Sequence, residues 1–430
     1  MQRRCLLFAA VVCLSAASAW AGDWPRFLGP TSDGKSTETG LDLTWPESGP
    51  PLVWEVEVGD GYTMPAIADG KLFEFDRRED TARLTCREAA TGKELWRVEY
   101  PTDYEDMYGY STGPRGTPVI DGERVYTYGV EGRLRCHAVD DGKLLWEVDT
   151  VKKFGVVQNF FGVGSTPVIE DDLLIAMVGG SPEGSPGIQS GEVESAGTTV
   201  VGFDKKTGTV RYATGYDLAS YSSPVLTTLD GRRRGLLFAR GGLLGFDPAS
   251  GKIGFKFPWR SKILESVNAA NPVVVGNRVL ITECYGPGSA LLQLKREGYE
   301  VLREDPPRGK SMASHWATPI HIDGTAYGCS GRNSGDAELR AVGFADGKVA
   351  WSQPGLGRTT MIHVQGHLLV LGERGRLFVV EATPATFKQV SATEPLVSYP
   401  AWNPPVLANG LLYVRGADKL RCFDLREKRD

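Results

Sequence analysis

The chain lacks the short motifs by which reactions are usually recognised. It has no Gly-x-x-x-x-Gly-Lys-Ser loop, no Gly-x-Ser-x-Gly elbow and no His-Glu-x-x-His helix. P-loop phosphoryl transfer, elbow-based hydrolysis and zincin-type proteolysis are therefore not signalled. No Cys-x-x-Cys or Cys-x-x-Cys-His occurs, so neither a zinc knuckle nor covalent haem attachment is indicated. The net charge is −5. Nothing in that balance attracts a polyanion, which argues against nucleic acid as a partner. After the first two dozen residues, no apolar run approaches transmembrane length.

Those first residues read as an export signal. Arg3 and Arg4 precede an apolar run from Cys5 to about Leu14, and Ala19-Trp20-Ala21 forms a small-residue cleavage pattern before Gly22. The expectation is a signal peptide over 1–21, cleaved near Ala21, and a periplasmic or extracellular product with no transmembrane segment in the mature chain. A lipid anchor at Cys13 is the competing reading, weakened by Val12, which stands where a small residue is expected. Five cysteines would remain: Cys86, Cys136, Cys284, Cys329 and Cys422. Their number is odd and their spacing wide. A Cys284–Cys329 disulfide stays open.

Glycine is abundant, with 53 residues and no collagen period, which points to many tight turns. The turns recur in register. A proline-led apolar run, an Asp-Gly-like pair and a second apolar run appear at Pro65, Pro118, Pro167 and Pro224. The unit returns at Pro272, Pro319, Met361 and Pro405. Asp-Gly and Asn-Gly pairs supply the positive φ angles of hairpin turns. A proline at the start of a strand breaks no ladder bond. A second unit carries a turn glycine and, four residues later, an aromatic: Gly92 and Trp96, Gly142 and Trp146, Gly208 and Tyr212, Gly251 and Phe255, Gly347 and Trp351. Six residues before the turn glycine stands something small: Cys86, Cys136, Gly202, Gly245 or Ala341. Cys422 fits the same place, and buried cysteine serves as a small hydrophobe.

Two units make four strands, the rhythm of a propeller blade. The last copy, from Pro405, has only three strands. Leu52-Val53-Trp54-Glu55-Val56 has an aromatic strand with nothing before it. The predicted fold is therefore all-β: an eight-bladed β-propeller of four-stranded antiparallel blades, with the N-terminal strand closing the last blade. Seven blades with a loose terminal element is the rival. The expected organisation is an extended segment over 22–51 and a propeller over 52–430.

The proline-led hairpins and Gly-Lys-x-x-Trp endings resemble the PQQ-like repeat superfamily. It includes quinoprotein alcohol dehydrogenases and the lipoprotein scaffold of outer-membrane β-barrel assembly. The opening Asp23-Trp24-Pro25-Arg26-Phe27-Leu28-Gly29-Pro30 is similar to the start of many exported bacterial proteins of this type. The resemblance covers nearly the whole mature chain and speaks to fold more than to function.

In a propeller, the loops entering the innermost strands surround one mouth of the channel. Here they bring candidate ligand-binding residues together: Tyr62, Arg115, Tyr221, Asn268 and Asn271 from the first five loops. His315, Trp316, Arg358, Trp402 and Asn403 come from the last three. Insertions at Tyr104–Tyr110 and Phe154–Phe161 are expected on the same side. The Ser, Thr and Asn of these loops have a bland explanation too, as partners for strand ends. Arg115 and Arg358 call for either an anionic ligand or a carboxylate on a neighbouring loop. His315 has no evident orienting carboxylate, so no catalytic residue is assigned.

Two functions follow. The first is a non-catalytic exported scaffold that binds a protein, glycan or small ligand of the cell envelope through the rim. The alternative is a PQQ-dependent oxidoreductase, which by resemblance would require PQQ and calcium as cofactors. The quinone enzymes often carry adjacent cysteines over the cofactor, and this chain has none. No metal site is assigned.

Overall fold

A computed structural model describes residues 22–427, so the export signal expected over 1–21 lies outside the described residues. The chain forms eight four-stranded sheets, every strand antiparallel to its neighbours. Seven blades run in simple sequence order from the innermost strand outward. Blade 1, for example, runs Ala66–Ala68, Lys71–Arg78, Thr81–Glu88 and Glu94–Pro101. The other innermost strands are Val119–Asp121, Val168–Glu170, Val225–Leu229, Val273–Val275, Ile320–Ile322, Thr359–Val364 and Val406–Ala408. The turns behind them bear out the sequence signal. Asp69, Asp230, Asp323, Gln365 and Asn409 take positive φ, each followed by a positive-φ glycine.

The eighth blade closes the ring. Val406–Ala408, Leu411–Arg415 and Lys419–Asp424 come from the end of the chain, and Leu52–Glu57 adds the outer strand. Trp54 lies opposite Cys422, and Leu52 opposite Phe423. No blade is left with three strands and a free edge, so the seven-blade alternative is set aside.

The small-residue rule has a physical cause. Cys86 pairs across the sheet with Trp96, Cys136 with Trp146, Gly202 with Tyr212, Gly245 with Phe255 and Ala341 with Trp351. The ring lies down over its partner, and a bulge follows at once in every one of these pairs. The same ring then docks on the turn of the next blade. A Cβ on Gly142 would stand 2.7 Å from Trp96, and one on Gly208 2.7 Å from Trp146. The indole N–H donates to that turn's carbonyl: Trp96 to Val139 at 3.0 Å, Trp146 to Lys205 at 3.1 Å and Trp351 to Thr383 at 2.8 Å. Trp54 does the same across the closing seam, donating to Ala89 of blade 1 at 3.0 Å. In blade 5 the aromatic is missing, and the Arg303 guanidinium takes its place over Gly347. The five cysteines among the described residues are free, so Cys284 and Cys329 are not bridged.

The channel is filled by the residues that precede the first blade. Trp24 pairs with Ile67 through two 2.9 Å hydrogen bonds, and the Pro25 carbonyl accepts from Ile120. The chain turns at Leu28–Ser32, then returns so that Lys35 bridges His363. The innermost strands of blades 1, 2 and 7 therefore grip a hairpin on the axis. Asp23 approaches the turn at Asp69, and Glu38 accepts from Asn409 and Gly410, so both ends lie at the face opposite the mouth. Trp24 and Leu28 are buried. Leu28 and Ser32 hold φ of 59° and 57°, an uncommon conformation for side-chain-bearing residues.

Candidate functional site

At the mouth, the residue two positions before the innermost strand joins each of blades 1–5 to the next. Met64 N–H donates to Thr117 Oγ1 at 3.4 Å, and Thr117 N–H to Thr166 Oγ1 at 3.0 Å. Thr166 N–H donates to Ser223 Oγ at 2.9 Å, Ser223 N–H to Asn271 Oδ1 at 2.7 Å, and Asn271 N–H to Thr318 Oγ1 at 2.9 Å. This girdle answers strand-end N–H groups that no ladder reaches. It accounts for the hydroxyl and amide residues at these positions. Asn271 belongs to it. Asn268, 1 % exposed, donates its amide to the carbonyls of Ala239, Arg240 and Trp259. These two side chains are engaged in the scaffold and do not line the cavity.

Eight of the ten candidates do line it. The cavity holds about 500 Å³ and its floor includes Phe27 and Leu28, at the tip of the axial hairpin. Its wall is a chain of aromatic contacts. Trp316 meets Trp402 at 5.1 Å between centroids, Trp402 meets Tyr62 at 4.9 Å, and Phe161 meets Tyr221 at 5.6 Å. The two insertions supply Tyr108, Tyr110 and Phe161 to this wall. Burial pushes the Tyr62 phenol up to about 12, so it stays a neutral hydrogen-bonding group, donating to the Tyr110 carbonyl at 3.2 Å.

Both arginines have found carboxylates on their own neighbouring loops. Arg115 pairs with Asp106 at 2.5 Å, and Arg358 with Glu373 at 2.8 Å. The carboxylate side chains are 0 % and 1 % exposed. Burial opposes the Glu373 charge, but hydrogen bonds from Ser334 and Arg358 outweigh it and hold the carboxyl below its usual range. Each guanidinium also lies against rings: Arg358 is 5.0 Å from Trp316 and 4.8 Å from Trp402, and Arg115 is 5.6 Å from Tyr62. The ion pairs thus brace the aromatic wall and neutralise themselves. Asn403 is buried and its carbonyl accepts from Thr360 Oγ1 at 2.9 Å.

His315 is held by Tyr285, whose hydroxyl lies 2.8 Å from Nε2. Burial first, then the Arg358 and Arg332 charges, lower its pKa to about 3. A histidine so poised is neutral at physiological pH and is a poor proton carrier there. Tyr285 and Arg332, 4.5 Å from the Tyr285 ring, also line the mouth. They come from the loops between the second and third strands of blades 5 and 6. In a four-stranded antiparallel blade those loops share a face with the loops entering the innermost strand, and that alternation was the signal that could have found them. Among the described residues, no group of three or more His, Cys, Asp or Glu could hold a metal ion.

The family profile described as Outer membrane protein assembly factor BamB matches residues 47–181 and 80–353. A protein of that description from Alkalilimnicola ehrlichii is 33% identical over 126 residues, which is 28% of this chain and 31% of that protein. The chain thus spans less than a third of the length of this curated relative. Among solved structures, BamB from Moraxella catarrhalis superposes with a TM-score of 0.59 at 15% identity, covering 88% of this chain and 98% of that one. Quinohemoprotein alcohol dehydrogenase from Comamonas testosteroni gives a TM-score of 0.66 at 13% identity, covering 96% of this chain and 82% of that one. At such identities these two likenesses show a shared fold.

Proposed function

This chain belongs to the PQQ-like repeat family described as Outer membrane protein assembly factor BamB, and on that premise we propose that it is an exported binding scaffold, acting in the periplasm or at the cell envelope, whose mouth captures a segment of another envelope protein. One observation carries this reading. The mouth is a concave wall of aromatic rings in which Arg115 and Arg358 are already paired within the protein, closed at its floor by the protein's own hairpin. Tyr, Trp and Arg in such settings are the residue types that dominate protein recognition. His315, the histidine of the mouth, is held neutral near pH 7.

The mouth does not fit a quinone–calcium centre. PQQ carries several carboxylates and needs cations to meet them. Arg115 and Arg358 are committed to Asp106 and Glu373, and each of those carboxylates is taken up by its arginine. Arg332 and the exposed Glu265 remain, one cation and one carboxylate, too few for a cofactor with several carboxylates and a calcium ion that takes about six to eight oxygens. Asn268 and Asn271, the amides of the neighbouring loops, serve backbone groups. No catalytic step is derived through that cofactor.

The test is capture of a crosslinked partner from envelope extract by the mature chain, beside a variant carrying Trp316→Ala and Trp402→Ala. Two hot-spot rings at about 2 kcal/mol each, about 4 kcal/mol together, would weaken binding of a purified partner by roughly several hundredfold. Unchanged capture by the variant would refute the assignment of the mouth. Saturable binding of PQQ with calcium, accompanied by dye reduction, would refute the scaffold reading itself.

A further inference from the structure

Behind the mouth lies a second cavity of about 400 Å³, separated from it by the loop over residues 156–163. Phe161 faces the mouth, while Val157, Gly162 and Val163 face the other side. The chemistry changes across this partition. The second cavity is walled by aliphatic groups, among them Val130, Val156, Val178, Met177 and Leu218. Three carboxylates line it, and no lysine, arginine or histidine does. Asp103 and Glu105 are exposed at its edge, and Glu131 is half-buried inside. Two hydroxyls with no hydrogen-bond partner also line it: Tyr104, 6 % exposed, and Ser165, 1 % exposed.

From this juxtaposition we propose that the cavity is a binding site for an aliphatic ammonium, an alkyl chain bearing a protonated amine. The alkyl part matches the valine-rich wall. The amine matches Glu131, whose Oε1 accepts from Tyr100 at 2.9 Å and whose carboxylate makes no ion pair. The nearest guanidiniums favour the Glu131 charge from a distance and make no ion pair with it: Arg135 pairs with Glu147 and lies 3.7 Å from the Tyr100 ring, and Arg133 lies 5.7 Å from that ring. Burial raises the Glu131 carboxyl above its usual range, which an ammonium alongside would reverse. An anionic ligand would face three carboxylates of its own sign. A neutral chain would leave the acids unused and gain nothing from them. The same chemistry can arrive as a free polyamine or as a lysine side chain of a bound protein.

The probe pair is 1,8-diaminooctane and 1,8-octanediol, equal in length and different in charge, titrated calorimetrically into the full mature chain. Saturable diamine binding at least tenfold tighter than the diol is expected, with Glu131→Gln weakening the diamine at least tenfold and leaving the diol unchanged. Equal affinity of diamine and diol overturns the proposal. Loss of diamine binding in Trp402→Ala would place the amine at the mouth and overturn it also. Should Glu131→Gln fail to fold, Val193→Trp, which fills the cavity from its own wall, must abolish diamine binding; retained binding overturns the proposal. A blocked Gly-Lys-Gly peptide that binds more tightly than the diamine identifies a partner's lysine as the source, and a weaker one identifies a free polyamine.

Discussion

Replacing Trp54 by alanine tests how the ring is closed. The indole is 8 % exposed, lies over the turn at Gly92, and donates to the Ala89 carbonyl at 3.0 Å. A buried tryptophan covers about 200 Å², worth about 5 kcal/mol at 25 cal/mol per Å² as an upper figure. The Ala89 carbonyl also accepts from the Tyr413 hydroxyl at 3.1 Å, so truncation leaves no orphaned acceptor. The expected cost of Trp54→Ala is therefore about 3–5 kcal/mol, mostly cavity and lost packing. Trp54→Phe, which keeps most of the ring area, should cost about 1 kcal/mol. The control is Trp146→Ala. That ring has the same 8 % exposure and the same doubly bonded carbonyl, Lys205, which also accepts from Tyr126 at 3.0 Å. Native-state hydrogen exchange separates the two variants. Trp146→Ala should loosen blade 2 against blade 3, whereas Trp54→Ala should expose Leu52–Glu57 and its partner Lys419–Asp424 together. A loss below about 1 kcal/mol, or protection of those two strands unchanged from the parent protein, would refute the seam as described.

Further expectations follow from the interior. Glu74, at the same seam, has its carboxyl raised to about 7 by burial first and by Asp76 second. A group raised in the folded state binds more protons folded than unfolded, so stability should fall as pH rises from about 4.5 to about 7; Glu74→Gln should flatten that slope in urea titrations across the range. Gly245→Ala forces a methyl against the Phe255 ring, and a cost of about 1–3 kcal/mol is expected by chemical unfolding. Because His315 stays neutral above about pH 3, partner capture at the mouth should be level between pH 5 and 8; a midpoint near 6.5 would contradict its placement.

The repeat was legible because most blades restate it locally: Cys136, Gly142 and Trp146 sit at spacings that four other blades reproduce. The closing strand was legible by elimination, since Trp54 had an aromatic in place with no hairpin before it. The axial hairpin was not. Trp24 and Lys35 carry no periodicity, and their partners Ile67 and His363 are set by the curvature of the closed ring. At the mouth, sequence supplied the loops but not their internal engagements. Arg358 finds Glu373 fifteen positions away on the next strand end, and Asn268 folds back on three carbonyls. Nothing in residue type distinguishes an arginine that waits for a ligand from one already answered.

The hairpin on the axis also sets an order of events during synthesis. Residues 24–57 emerge early, yet Lys35 must wait for His363, Leu41 for Arg426 and Val56 for Leu420. These are among the largest sequence separations the chain contains, and such contacts form slowly. The axle is made first and can be seated only when the final sector of the wheel is drawn around it. Until then Trp24, Leu28 and Trp54 lack the apolar shelter of the closed ring, so a stretch made before the blades that enclose it finds its place after them.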